Sequence, residues 1–171
     1  MYKPFTKKRL ASVLVTALLA APLAQAAKID LEKEILIKAG RTAGDLKNRI
    51  ATYLDNVVIS QGSLSIKADL VQVHSFENKD AETYVAKGEP AVFEQLLEDG
   101  SKIQLQADEI RYEPNTYNIT ITGNALLSQA GSEVRGSKIV YNTLTEQLEA
   151  EGGSDSGVTT ILKPKSKGDN E

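Results

Sequence analysis

After residue 26, apolar and polar residues alternate at period two, and no stretch sustains a helical period. "RIATY" from Arg49, "KIQLQA" from Lys102 and "NITIT" from Asn118 place apolar side chains at every second position, which marks strands with one buried face. Glycine, asparagine and aspartate interrupt these runs every 8 to 12 residues, a spacing that predicts an antiparallel sandwich or barrel. Pro90 and Pro114 fall between runs, where edges or turns are expected. "KIDLEKEILIKAG" from Lys28 is read as strand, because Ile29 and Leu31 alternate ahead of its helix-compatible part. "GGSDSG" at 152–157 reads as a loop and "VTTIL" from Val158 as a last strand.

The alternation is organised as a repeat. "NVVISQGSLSIKADLVQV" from Asn56 returns in outline as "NALLSQAGSEVRGSKIVY" from Asn124, 68 positions later. Both run from Asn through apolar residues to Ser-Gln, which is read as leading the turn, and then to an apolar residue, a cation and a small residue. A wider unit of strand, polar turn and strand begins at Ala39, Ala68, Ala107 and Gly136, with a longer turn around 76–81 in the second copy. Inside this unit the apolar parity switches. Ile66 and Ala68 share one face while Val71 and Val73 take the other; Leu105 and Ala107 are followed in the same way by Ile110 and Tyr112, and Val134 and Gly136 by Ile139 and Tyr141. A straight strand keeps one face, so a bulge or bend at the small residue is expected, kinking the sheet around a common interior.

The first 26 residues are different in kind. Lys3, Lys7, Lys8 and Arg9 precede an apolar run from Leu10 to Ala21, and Ala24-Gln25-Ala26 fits a small-x-small cleavage site. This is the pattern of a secretory signal peptide, with an apolar run of about 12 residues against the roughly 20 that span a bilayer. It takes with it four basic residues and no acids, moving the net charge from −3 to −7. An acidic chain lacks the cation clusters that phosphate backbones require, so no nucleic-acid partner is expected. The absence of cysteine excludes disulfides and thiolate metal sites. The organisation read from the sequence is signal peptide 1–26, one β domain over 27–163 and a disordered polar tail at 164–171, in a periplasmic protein.

Residues that carry chemistry are sparse. His74 is the sole histidine, so a serine nucleophile has only one imidazole to serve as base. Paired acids such as Glu32/Glu34 and Asp108/Glu109 read as solvated strand positions. Asp69 and Asp108 recur beside the small residue and could ligate calcium, but Gly40 and Ser137 replace them in the other copies, which favours a turn or bulge role. No catalytic residue, cofactor or metal is expected. What remains is an aliphatic interior. Aligned parity places Ala51 and Tyr53 with Ile119 and Ile121, and Val57 and Ile59 with Ala125 and Leu127; Phe93 joins if one residue is inserted near Pro90. Alternation is compatible both with a solid core and with a groove for an apolar ligand.

Six segments in order, "KIDLEK", "NVVISQGSLSIKADLVQV", "GEPAVFEQ", "ADEIRY", "ITGNALLSQAGSEVRGSKIVY" and "VTTILKP", span residues 28–164. Together they resemble the OstA-like (LptA) family of periplasmic lipopolysaccharide-transport bridge proteins. The resemblance implies an all-β antiparallel jelly roll of repeated hairpins with bent strands, open at both ends. It implies lipopolysaccharide as ligand, with the lipid A acyl chains in the interior. The implied partners are further copies in a head-to-tail homo-oligomer and the OstA-like domains of inner-membrane LptC-type and outer-membrane LptD-type proteins. By motif, Ile29, Leu31, Phe93 and Tyr112 match groove positions of the family. With the parity set, the expected lining is Ile29, Leu31, Tyr53, Val57, Ile59, Phe93, Tyr112, Ile119, Ile121 and Leu127. "RTAGDLKNR" from Arg41 departs from the pattern by its polarity. The competing expectation is a structural or adaptor β-repeat with a solid core and protein partners only.

Overall fold

The structure, a computed structural model, describes residues 31–75, 82–154 and 156–164. The expected signal peptide at 1–26, Ile29, the turn expected around 76–81 and all but Pro164 of the tail expected at 164–171 lie outside the described residues. The strands are β1 (Leu36–Lys38), β2 (Arg41–Asp45), β3 (Ile50–Gln61), β4 (Leu64–Ser75), β5 (Glu82–Leu96), β6 (Lys102–Glu113), β7 (Asn118–Gln129), β8 (Ser132–Asn142), β9 (Leu148–Glu151) and β10 (Thr159–Ile161). All pairings are antiparallel, and among the described residues they form one unclosed sheet in the order β1-β3-β4-β5-β6-β7-β8-β10, with β2 also on β3 and β9 also on β8.

The sheet is creased. Every pair of long neighbouring strands loses register at the same level, between Leu54 and Val57, Lys67 and Leu70, Lys87 and Ala91, Gln106 and Glu109, and Thr122 and Ala125. Each long strand therefore contributes one half to each of two layers. The first layer holds 57–68, 91–107 and 125–136 with β1 and β10; the second holds 50–54, 70–75, 82–87, 109–122 and 138–142 with β2 and β9. The four repeats beginning at Ala39, Ala68, Ala107 and Gly136 are the successive hairpins of the second layer.

The expected bend is present, but the inserted residues are not at the small residues. They sit on the facing strands: Asp55 and Asn56 opposite Asp69, Gly88 to Pro90 opposite Asp108, and Gly123 and Asn124 opposite Ser137. Four of them take positive φ, Asp55 at 67°, Asn56 at 52°, Gly123 at 78° and Asn124 at 51°. That explains the residue types, since asparagine, aspartate and glycine enter the left-handed region most cheaply. Asn124 Nδ2 donates to both Asp108 oxygens, at 3.2 and 3.0 Å, so Asp108 braces the bulge opposite it. At the N-terminal end Arg41 Nη2 donates to Asp55 Oδ1 at 2.9 Å, and that hydrogen bond lowers the Asp55 pKa.

The small residues line the inner side of the crease, where the converging layers leave little space. Ala91, Ala107 and Ala125 are buried there, and a Cβ on Gly136 would lie 2.5 Å from the Glu151 backbone oxygen. Two other expectations are corrected. Pro90 lies inside β5 at the crease rather than between strands, because the inserted segment there needs no ladder N–H. The strand read from residue 28 is limited to Leu36–Lys38, and residues 31–33 are turned, since only the second half of that segment finds a partner on β3.

Candidate functional site

Strand register converts alternation into three continuous rows of inward side chains. In the first layer Ile37, Ile59, Ile66, Phe93, Leu105, Leu127 and Val134 stand side by side across successive strands. In the second layer, Tyr53, Val71, Ala86, Ile110, Ile121, Ile139 and Ala150 form a row near the crease. Ala51, Val73, Tyr84, Tyr112, Ile119, Tyr141 and Leu148 form a row nearer the rim. The outward positions between them are mostly polar, with apolar exceptions such as Leu54, Leu70, Val85, Val92, Leu126 and Val140, and cross-strand pairs such as Lys87–Glu109 at 3.2 Å and Lys138–Glu151 at 2.8 Å lie there. These exposed pairs contribute little to stability, so the fold rests on the rows. Each fully buried aliphatic or aromatic side chain in them contributes on the order of 1.5–3 kcal/mol.

Of the residues expected from sequence, Val57, Ile59, Phe93, Tyr112, Ile119, Ile121 and Leu127 lie in one buried cluster, and Tyr53 packs against it. Phe93, Ile119 and Ile121 are 0% exposed: in this structure the two layers are closed on each other. Leu31 is half-buried in the turned segment before β1, outside that cluster. His74 lies near the rim of the second layer, in register with Ile50 and Thr83.

The interior also contains polar residues that alternation does not reveal. Gln61 is 4% exposed and Gln95 2% exposed, each two residues beyond a member of the first-layer row, Ile59 and Phe93 respectively. "Ser-Gln" was read as leading the turn, but Ser60 and Gln61 complete β3, and Gly62-Ser63 make the turn. Gln61 links three parts of the protein. Its Oε1 accepts from the Tyr112 hydroxyl of the second layer at 2.7 Å. Its Nε2 donates to the Leu31 and Lys33 carbonyls at 2.7 and 3.0 Å, fastening the N-terminal segment to the rim. Burial raises the pKa of Tyr84, Tyr112 and Tyr141, most for the hydroxyls' loss of water, so each phenol is a hydrogen-bond donor at neutral pH.

These bonds distinguish two tyrosines of the same row. Tyr112→Phe is expected to destabilise by about 1–3 kcal/mol, because Gln61 Oε1 is left buried without its donor. Tyr141→Phe is expected to be neutral or stabilising, because the Tyr141 hydroxyl has no partner among the described residues. Urea denaturation of both variants tests this; equal losses would mean that the Gln61–Tyr112 bond contributes nothing specific.

The family model described as LptA/(LptD N-terminal domain) LPS transport protein matches residues 36–147, which takes in β1 through the turn before β9. The chain belongs to that family. Within the LptA/LptD N-terminal domain family, it is 37% identical over 153 residues to the lipopolysaccharide export system protein LptA of Haemophilus influenzae, covering 88% of this chain and 89% of the relative. It is 31% identical over 154 residues to LptA of Escherichia coli K12, covering 89% and 83%. The crystal structure of LptH from Pseudomonas aeruginosa, described as the LptA-homologous periplasmic component of a lipopolysaccharide transport device, has the same fold. It superimposes with a TM-score of 0.72 at 24% identity, over 80% of this chain and 99% of that one. The all-β, unclosed, jelly-roll-like architecture is thus that of the family.

Proposed function

We propose that this protein carries lipopolysaccharide across the periplasm, holding the acyl chains between its two layers and bridging export complexes of the inner and outer membranes. The observation that carries this reading is the set of three apolar rows that run unbroken across the long strands β3 to β8 of an unclosed sheet. An acyl chain in water costs about 0.8 kcal/mol per exposed CH₂, and an aliphatic lining removes that cost without demanding one fixed pose. Since the layers are closed on each other, the ligand enters by parting them about the crease, with Ile29, Leu31, Tyr53, Val57, Ile59, Phe93, Tyr112, Ile119, Ile121 and Leu127 as its lining. The lipopolysaccharide-export names of the relatives agree with this cargo.

Continuity between molecules would come from the terminal strands. All five residues of β2 and all three of β10 are exposed, and Leu36, Ile161 and Leu162 are apolar residues exposed by 52%, 52% and 74%. Such edges accept a further strand, from a second copy head to tail or from the similar domains of LptC-type and LptD-type proteins. On this reading residues 1–26 are the export signal and 27–163 the working domain, without catalytic chemistry or cofactor.

Photo-crosslinkers at Phe93 and Ile121 are expected to capture lipopolysaccharide in cells, while those at the outward Thr120 and Thr122 are not. Equal labelling at both parities sinks the interior assignment. The complete burial of Phe93, Ile119 and Ile121 favours the second reading, a solid-core adaptor. That reading requires that no position label lipid while partner proteins still bind.

A further inference from the structure

The fold repeats the Gln–Tyr arrangement but completes it only once. Gln61 follows Ile59 on the inner face of β3, and Gln95 follows Phe93 on the inner face of β5; Ile59 and Phe93 occupy the same row through Ile66. Tyr112 and Tyr141 also share a row, through Ile119. The contacts between layers are offset by three strands in both cases. Gln61 on β3 bonds Tyr112 on β6, and Phe93 on β5 packs its ring 6.5 Å from that of Tyr141 on β8. By the same three-strand offset, Gln95 on β5 holds the place relative to Tyr141 on β8 that Gln61 on β3 holds relative to Tyr112 on β6. In the first pair the hydroxyl reaches the amide oxygen at 2.7 Å. In the second, Gln95 Oε1 and the Tyr141 hydroxyl are both buried and have no partner among the described residues.

Leaving a buried acceptor and a buried donor unsatisfied is costly in a largely apolar interior. The group that satisfies both must accept from Tyr141 and donate to Gln95, and a single hydroxyl does both. We propose that Gln95 and Tyr141 form a polar subsite inside the acyl interior that selects chains bearing a hydroxyl. This rests on the reading that the interior holds acyl chains, and it gives that interior a fixed reference point along the chain. Diffuse apolar contact allows an acyl chain to slide, whereas a buried hydroxyl seated between these two groups sets its depth.

The test is titration of the purified protein with dodecanoate and with its monohydroxylated positional isomers, below their micelle concentrations, by displacement of a fluorescent fatty acid. One net hydrogen bond corresponds to about a 2- to 10-fold change in affinity. At least one isomer is expected to bind that much more tightly than dodecanoate, and the gain is expected to vanish in Tyr141→Phe but survive in the outward Thr120→Val. If every isomer binds no better than dodecanoate, the subsite is overturned while the acyl interior stands; a bridging water would give this result. If the preference persists in Tyr141→Phe, the assignment to Tyr141 is overturned. If dodecanoate itself does not bind, the acyl reading fails and the subsite with it.

Discussion

Phe93→Ala is expected to lower the folding free energy by about 3–5 kcal/mol, the range for a fully buried aromatic truncated in a packed core. Phe93 is 0% exposed, stands in register between Ile66 and Leu105 in its own layer, and faces Tyr141 across the interior. Truncation removes the ring contact that ties β5 of the first layer to β8 of the second, and neither neighbouring strand can move in without losing its own register. Urea unfolding followed by circular dichroism should show a lower midpoint at an unchanged m-value. Phe93→Leu, which conserves more of the volume, should cost less than about 1.5 kcal/mol. A loss below about 1 kcal/mol for the alanine variant would mean that the layers repack freely. That would contradict a well-packed closed state.

Gly123→Val tests the crease. Gly123 has a φ of 78°, and a Cβ added there would fall 2.4 Å from Asp108 Oδ2 and 3.0 Å from Asp108 Cβ and Cγ. A non-glycine residue in this conformation costs about 1–2 kcal/mol, more for a branched one. Displacing Asp108 also breaks the bonds it accepts from Asn124 at 3.2 and 3.0 Å. The sum of backbone strain and overpacking is about 2–5 kcal/mol. Asn124→Gly, which gives up those bonds but keeps a residue suited to positive φ, should cost less than half as much. Hydrogen exchange should locate the loss on β6, β7 and β8. Similar costs for the two variants would show that the side-chain bonds, rather than the backbone conformation, hold the bulge.

The parity switch from Ala68 to Val71 was legible in the sequence because a strand shows its buried face at every second residue, and a change of face must be accommodated locally. The inserted residues were less legible. β3 carries two inserted residues and keeps its parity from Tyr53 to Val57, as β7 does from Ile121 to Ala125, whereas the facing strands step by three and change face; Ala68 and Gly136 therefore carry the signal although the extra residues stand opposite, at Asp55-Asn56 and Gly123-Asn124. Gln61 was read as part of a turn because a polar residue next to Gly62 at a strand end looks the same whether it faces water or the opposite layer. The turned segment at 31–33 alternates as a strand would, but pairing is a property of two segments, and β3 has partners only from Leu36 onward.

The sequence by itself determined an all-β repeat, the order of its hairpins, the small residues along the crease and the parity of Val57, Ile59, Ile119, Ile121 and Leu127, because each follows from local alternation and turn chemistry. Only the tertiary structure decided which halves of the strands face each other. Sheet twist and the crease set the three-strand offset that brings Gln61 to Tyr112 and Phe93 to Tyr141, and neither is encoded at any one position. Gln95 Oε1 and the Tyr141 hydroxyl, by contrast, are buried without partners among the described residues, since whether a polar group is satisfied depends on what lies across the interior and not on its neighbours in the chain.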